Sequence, residues 1–202
     1  MDDSVSRMGE TALELRFQNF RLIVDFGFPA VIALLFLYPD DGLTRQMLLV
    51  SLIHELGHGL AICLTKSGLR EIRFYAAGIQ MKTNACLLTA GQILAVCLSG
   101  PLMNLLCAAL FWKLDSVTAF LHLGTGLFNL LPYRILDGGA VLETLLELNP
   151  ELLQIRKIFC LMLSVSGIFL LFLYEIRSPA LFLMLVYLAV SEFSVDKCGT
   201  LC

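Results

Sequence analysis

Charge is what this chain has least of. Asp, Glu, Lys and Arg make up 15% of its 202 residues, where about 25% is usual for a soluble domain. Hydrophobic residues reach 58%, against roughly 45–50% in soluble proteins, and the mean hydropathy is +0.82. A large soluble appendage is excluded by that balance. Basic excess is also missing: 14 Lys and Arg face 17 Asp and Glu, a net charge of -3. No basic stripe is offered to a nucleic acid, and no nucleic-acid partner is expected. Repeats and low-complexity linkers are absent. A cleavable signal is not recognisable, because Asp2, Asp3, Glu10 and Glu14 precede the first apolar run at Leu22. Insertion is therefore expected from internal segments. Seven cysteines are scattered. Cys63, Cys86, Cys97, Cys107 and Cys160 lie in or beside apolar runs and read as small buried hydrophobes. Cys198 and Cys202 stand in the tail without further thiols near them.

Long hydrophobic runs are abundant. A spanning helix needs about 20 apolar residues, and six candidate stretches emerge, 22–38, 46–65, 87–112, 116–131, 158–174 and 179–190, the last of them short. The expected fold is an all-α membrane protein of about six transmembrane helices, a single domain over 1–202. Orientation follows from basic residues. With a cytoplasmic N-terminus, one side collects Arg7, Arg16, Arg21, Lys66, Arg70, Arg73, Lys82, Arg134, Arg156, Lys157 and Lys197, and the other only Arg45, Lys113 and Arg177. Both termini are expected in the cytoplasm, 1–21 as an N-terminal segment and 192–202 as a tail. Asp25 is expected at the interface, early in the first span.

Between the second and third spans, Ile72 and Phe74 alternate with Arg73, and Ile79 and Met81 alternate with Gln80 and Lys82, around a bend at Ala77-Gly78. This predicts a short membrane-associated β-hairpin. After the fourth span, Leu142, Leu145 and Leu146 opposite Glu143 and Glu147 suit an interfacial helix over 140–148. Asn149-Pro150-Glu151 reads as the start of the next helix.

Against this apolar background stands His54-Glu55-Leu56-Gly57-His58. Histidines four apart share a helix face, a geometry for two nitrogens on one zinc with the intervening glutamate as general base. Ionisable groups at membrane depth are expensive, so function is the default reading. A catalytic zinc usually takes three protein ligands. The one remaining histidine, His122, falls near the outer half of the fourth span, far in depth from His58, and reads as a hydrogen-bonder between helices. Asp137 is a better third ligand. The fourth span is too short to cross the membrane before Pro132, so the chain from there to Asp137-Gly138-Gly139 is expected to be unwound against a wet cavity. Spacing leaves two readings open: Asp137 as ligand, or Asp137 as cap of the helix that follows.

His54-Glu55-Leu56-Gly57-His58, then Gly100-Pro101-Leu102-Met103-Asn104, then Asn129-x-x-Pro132 with Leu136-Asp137-Gly138-Gly139, resembles the site-2 protease family of intramembrane zinc metalloproteases. The resemblance covers about 46–139, the family's catalytic core. It implies one Zn2+ per chain held by His54, His58 and Asp137, with Glu55 as catalytic base. Asn129 would donate to the developing oxyanion or hold the substrate backbone, or else serve as a hydrogen-bonder between helices. Asn104 would contact substrate or let helices approach closely. The hairpin, through Ile72, Phe74, Ile79 and Met81, would pair with an unwound single-pass transmembrane substrate beside the lipid bilayer. Arg134 and Ile135 stand where family members often carry a second proline. Neither an inserted PDZ domain nor a nucleotide-sensing domain is recognisable, which resembles the short sporulation-factor processing branch. A zinc transporter would need a second His/Asp/Glu cluster along a path, and a non-catalytic adaptor would have no use for Glu55.

Overall fold

The computed structural model describes residues 7–9, 12–16, 21–37, 42–65, 69–75, 78–83, 88–146, 150–176 and 178–193. Cys86, Cys198, Cys202, Ala77 and Asn149 lie outside them. The chain divides into two units, one running to Gly126 and one starting at Leu127.

The first unit opens with strands. β1 (Arg7–Gly9), β2 (Ala12–Arg16) and β3 (Arg21–Asp25) form an antiparallel meander. β3 then pairs in parallel with β4 (Leu69–Tyr75), and β4 in antiparallel with β5 (Gly78–Thr83), giving a five-stranded sheet in the order β1-β2-β3-β4-β5. The expected hairpin is thus present but is only the far side of a larger sheet. Residues 21–25, taken from the sequence as the end of one segment and the start of a transmembrane helix, are strand instead. Leu22-Ile23-Val24 is a β-favouring run with Ile23 buried, and apolar runs this short do not distinguish strand from helix. Asp25 is correspondingly not an interfacial helix residue. It ends β3 and takes two hydrogen bonds from Arg73 of β4, at 3.1 and 3.2 Å, and that carboxylate holds the Arg73 guanidinium pKa above its ordinary value. Phe74 packs edge-on against Phe28, ring centroids 5.2 Å apart.

Helix α1 (Gly27–Leu37) follows, then α2 (Leu43–Leu64), α3 (Ala90–Phe111) and α4 (Ser116–Asn129). α3 starts with a capping box. Thr89 Oγ1 accepts from the Gln92 backbone N–H, and the Thr89 N–H donates to Gln92 Oε1. Gln92 Nε2 also donates to the Thr65 carbonyl at 3.2 Å, tying the start of α3 to the end of α2. The second unit holds α5 (Asp137–Leu146), α6 (Pro150–Leu173) and α7 (Pro179–Ser191).

Among the described residues, Leu43–Leu64, Ala90–Phe111 and Glu151–Leu173 are long and apolar enough to cross a membrane, and α7 is a shorter apolar helix. α1 has 11 residues and α4 has 14, about 16 and 21 Å at helical rise, short of a hydrocarbon core of about 30 Å. Among the described residues, three helices are long and apolar enough to cross, and the six spans suggested by the sequence are not all matched by helices of that length. Leu49, Leu52, Leu56 and Leu60 of α2 and Leu102, Leu106 and Leu110 of α3 are exposed. Stripes of that size at helical spacing suit a lipid-facing surface. Cys63 lies on such an exposed face and is not buried, while Cys160 is.

In the second unit, residues 130–136 are non-helical, as expected, and are fastened by side chains. Arg156 Nη1 and Cys160 Sγ both donate to the Pro132 carbonyl, at 3.1 and 3.3 Å. The Tyr133 hydroxyl donates to the Cys160 carbonyl at 3.1 Å and meets Ser164 Oγ at 2.7 Å. The Arg134 N–H donates to Glu192 Oε1 at 2.6 Å. Arg156 also pairs with Glu143 at 3.2 Å and Glu192 at 3.3 Å. Arg156 is 5% exposed and Glu192 0%, so neither charge has water to fall back on. Arg156→Met is expected to cost about 3–5 kcal/mol, because it leaves Glu192 buried without its cation. Arg16→Ala removes a pair 3.8 Å long between half-exposed side chains and should stay within about 0.5 kcal/mol. Thermal denaturation in detergent compares the two.

Candidate metal centre

The site grows from the buried face of α2. Val50, His54, Gly57 and Ala61 are buried at spacings of four, three and four, the helical repeat, and lie opposite the leucine stripe. α3 answers with Gly100, Pro101, Asn104 and Ala108, also buried. The helices touch where both faces are smallest. A Cβ added to Gly57 would meet the Ser99 carbonyl at 2.7 Å and Gly100 Cα at 3.0 Å. A Cβ added to Gly100 would run into the His58 and His54 rings.

That approach brings both histidines onto α3. His58 Nδ1 lies 2.8 Å from the Val96 carbonyl, which can only accept, so Nδ1 carries the ring hydrogen and Nε2 a lone pair. His58 Nε2 is 3.2 Å from His54 Nε2, with the rings near perpendicular at 82° and centroids 4.8 Å apart. Two nitrogens on one tetrahedral zinc at about 2.0–2.1 Å stand roughly 3.3 Å apart. The donor chemistry and the spacing of the two imidazoles fit zinc. His54 and His58 supply two nitrogen donors to a group that could hold a metal ion.

Asp137 is the first residue of α5, so it starts the helix instead of lying within the unwound stretch. Gly138 and Gly139 are helical and buried. A Cβ on Gly138 would strike the Leu130 and Leu131 carbonyls, and one on Gly139 the Tyr133 carbonyl. Their smallness serves close packing within a helix, where the sequence suggested unwound chain. Glu55 is half-buried beside His54 on α2, and Asn129 is the half-buried last residue of α4.

Two sequence readings change. His122 does not lie at a depth remote from the motif. It is 1% exposed, and its Nδ1 donates to Asn104 Oδ1 at 3.0 Å, while Asn104 Nδ2 donates to His54 Nδ1 at 3.2 Å. Helical rise counted from a boundary misjudged its depth because α4 is short. It is a hydrogen-bonder between helices, as expected. Asn104 is 0% exposed, with its amide ends engaged by His54 and His122. On the sheet, Ile72 and Phe74 sit on β4, flanked by β3 and β5, so the open edge belongs to β5 with Ile79 and Met81. Arg134 pairs with Glu143 at 3.9 Å, an anchoring role. Sequence reasoning missed Glu192 and Arg156 as supports of the 130–136 segment. Glu192, an acid at the end of an apolar helix, was the available signal.

No family model matches the chain, and no curated protein sequence does. Among solved structures, the site-2 protease from Methanocaldococcus jannaschii matches with a TM-score of 0.61, over 90% of this chain and 94% of that one, at 17% identity. The chain has the site-2 protease fold. Nothing in that likeness points to the sporulation-factor branch.

Gly100→Ala is expected to displace the histidines and abolish stoichiometric zinc uptake. Gly91→Ala on the same helix meets nothing within 4 Å and should leave uptake unchanged. Metal content of the purified proteins distinguishes them.

Proposed function

We propose that this chain, with its site-2 protease fold, is a zinc-dependent intramembrane endopeptidase. It cuts transmembrane segments of single-pass proteins near the cytoplasmic face of a cell membrane, with both of its own termini in the cytoplasm. The observation that carries the reading is Glu55 set between two histidines whose Nε2 atoms converge to 3.2 Å on the buried face of an apolar helix. The likeness in fold over nine-tenths of the chain supports it.

His54, His58 and Asp137 would hold the metal. Bound zinc supplies a water of pKa about 7 and a Lewis acid for the scissile carbonyl. Glu55 accepts the proton of the attacking water on its carboxylate and delivers it to the leaving amine nitrogen. Asn129 donates its side-chain N–H to the oxygen on which negative charge develops. The short α4 and the non-helical 130–136 segment support a wet cavity, since irregular backbone at depth needs protein or water against it. The open edge of β5 would take the unwound substrate as an added strand.

Glu55→Gln is expected to bind zinc like the parent and to cleave a single-pass test substrate about 10²- to 10⁴-fold more slowly. Undiminished cleavage would sink the mechanism. A zinc transporter would tolerate the same change, since it needs no general base. Proline placed at Ile79, Gln80 or Met81 should slow cleavage of a transmembrane substrate while zinc content stays at one per chain. Equal rates in all three variants would remove β5 from the substrate path.

A further inference from the structure

The two histidines stand at one end of a buried hydrogen-bond chain that hydrolysis alone leaves unexplained. Its links run from His122 Nδ1 to Asn104 Oδ1 at 3.0 Å, Asn104 Nδ2 to His54 Nδ1 at 3.2 Å, His54 Nε2 to His58 Nε2 at 3.2 Å, and His58 Nδ1 to the Val96 carbonyl at 2.8 Å. His54, Asn104 and His122 are 6%, 0% and 1% exposed. Phe111 lies parallel to the His122 ring, centroids 6.1 Å apart, and a Cβ added to Gly126 would come within 3.3 Å of the Asn104 Cβ.

The Val96 end of the chain is fixed, because a carbonyl only accepts. The middle is reversible, because a half-turn of the Asn104 amide exchanges its donor and acceptor ends. Two self-consistent arrangements follow. In the first, His122 Nδ1–H donates to Asn104 Oδ1, Asn104 Nδ2–H donates to His54 Nδ1, and His54 Nε2–H donates to His58 Nε2. In the second, His54 Nδ1–H donates to Asn104 Oδ1, Asn104 Nδ2–H donates to His122 Nδ1, and His54 Nε2 holds a lone pair beside that of His58. Each ring carries one hydrogen in both, so the exchange needs an amide half-turn and two tautomer changes, with no proton gained or lost. Only the second arrangement offers a cation two imidazole lone pairs.

We infer that Asn104 and His122 are positioning residues that set the tautomer of His54, and that loading the metal centre reverses the chain as far as His122, which is not a ligand. This rests on the reading of His54 and His58 as zinc ligands. It gives the Gly-Pro-x-x-Asn segment a role toward the metal in addition to helix packing.

The test is nitrogen NMR of the full chain in detergent micelles with 15N-labelled histidine rings. The chain has three histidines, so three ring systems are followed as zinc is added, with His122→Gln to assign one. The expected result is that His58 keeps Nδ1–H, His54 moves its hydrogen from Nε2 to Nδ1, and His122 moves its hydrogen from Nδ1 to Nε2. Asn104→Leu should weaken zinc binding about 10- to 100-fold, the size usual for outer partners of a ligating histidine, and silence the His122 response. Asn104→Asp, whose carboxylate accepts from His54 Nδ1–H, should restore affinity. If His54 and His58 respond to zinc while His122 does not, or if Asn104→Leu binds zinc like the parent, the relay is overturned and the zinc site stands. If no ring responds, the zinc reading fails and takes the relay with it. Should Asn104→Leu not fold, the His122 response of the unaltered chain decides.

Discussion

The contact of α2 with α3 at Gly57 and Gly100 is the constraint on which the first unit depends. Backbones approach this closely only where neither helix carries a side chain, and small residues are how helices surrounded by lipid gain packing contacts. At that separation His58 reaches the Val96 carbonyl and His54 reaches Asn104. A wider gap would take these partners from two imidazoles in an apolar interface, which is costly. Packing and the placement of the two imidazoles therefore cannot be separated here, because the glycines that permit the interface also define the space the rings fill.

The second unit solves a related problem differently. Residues 130–136 give up helical hydrogen bonds among apolar helices, and their backbone groups need other partners. Arg156 and Cys160 supply donors to the Pro132 carbonyl, and Glu192 accepts from the Arg134 N–H. Buried ion pairs add little net stability, but losing one partner is severe. The arginine with its two acids, Glu143 and Glu192, thus selects one conformation for the segment that leads into Asp137 and α5.

Much of this was readable from the sequence, and the reasons are specific. Helices α2 and α3 were legible because apolar runs of that length have few other uses, and the His-x-x-x-His spacing fixed which face of α2 is buried. The hairpin was legible from period-two alternation. β3 was not, because Leu22-Ile23-Val24 runs straight into the apolar α1 and periodicity cannot divide them. β1 and β2 were passed over because residues 1–21 were taken as an N-terminal segment ahead of the first apolar run. His122 was correctly read as a hydrogen-bonder but assigned the wrong depth, since counting residues along a helix does not reveal that Asn104 of α3 links it to His54. Glu192 and Arg156 carry no motif. Their pairing joins residues far apart in sequence, and local pattern contains no trace of it.

The parallel pairing of β3 with β4 also orders events during synthesis. β1, β2 and β3 can zip together as soon as they emerge, but β4 begins at Leu69, 44 positions after Asp25 (69 − 25), and α1 and α2 lie between. At about 5–20 residues per second, that is a lag of roughly 2–9 s during which β3 presents an unpaired edge, a known invitation to wrong pairing. α2 is complete before β4 exists to close the sheet. The sheet is therefore a late seal on the nascent chain, set only after the helix bearing His54 and His58 has been made.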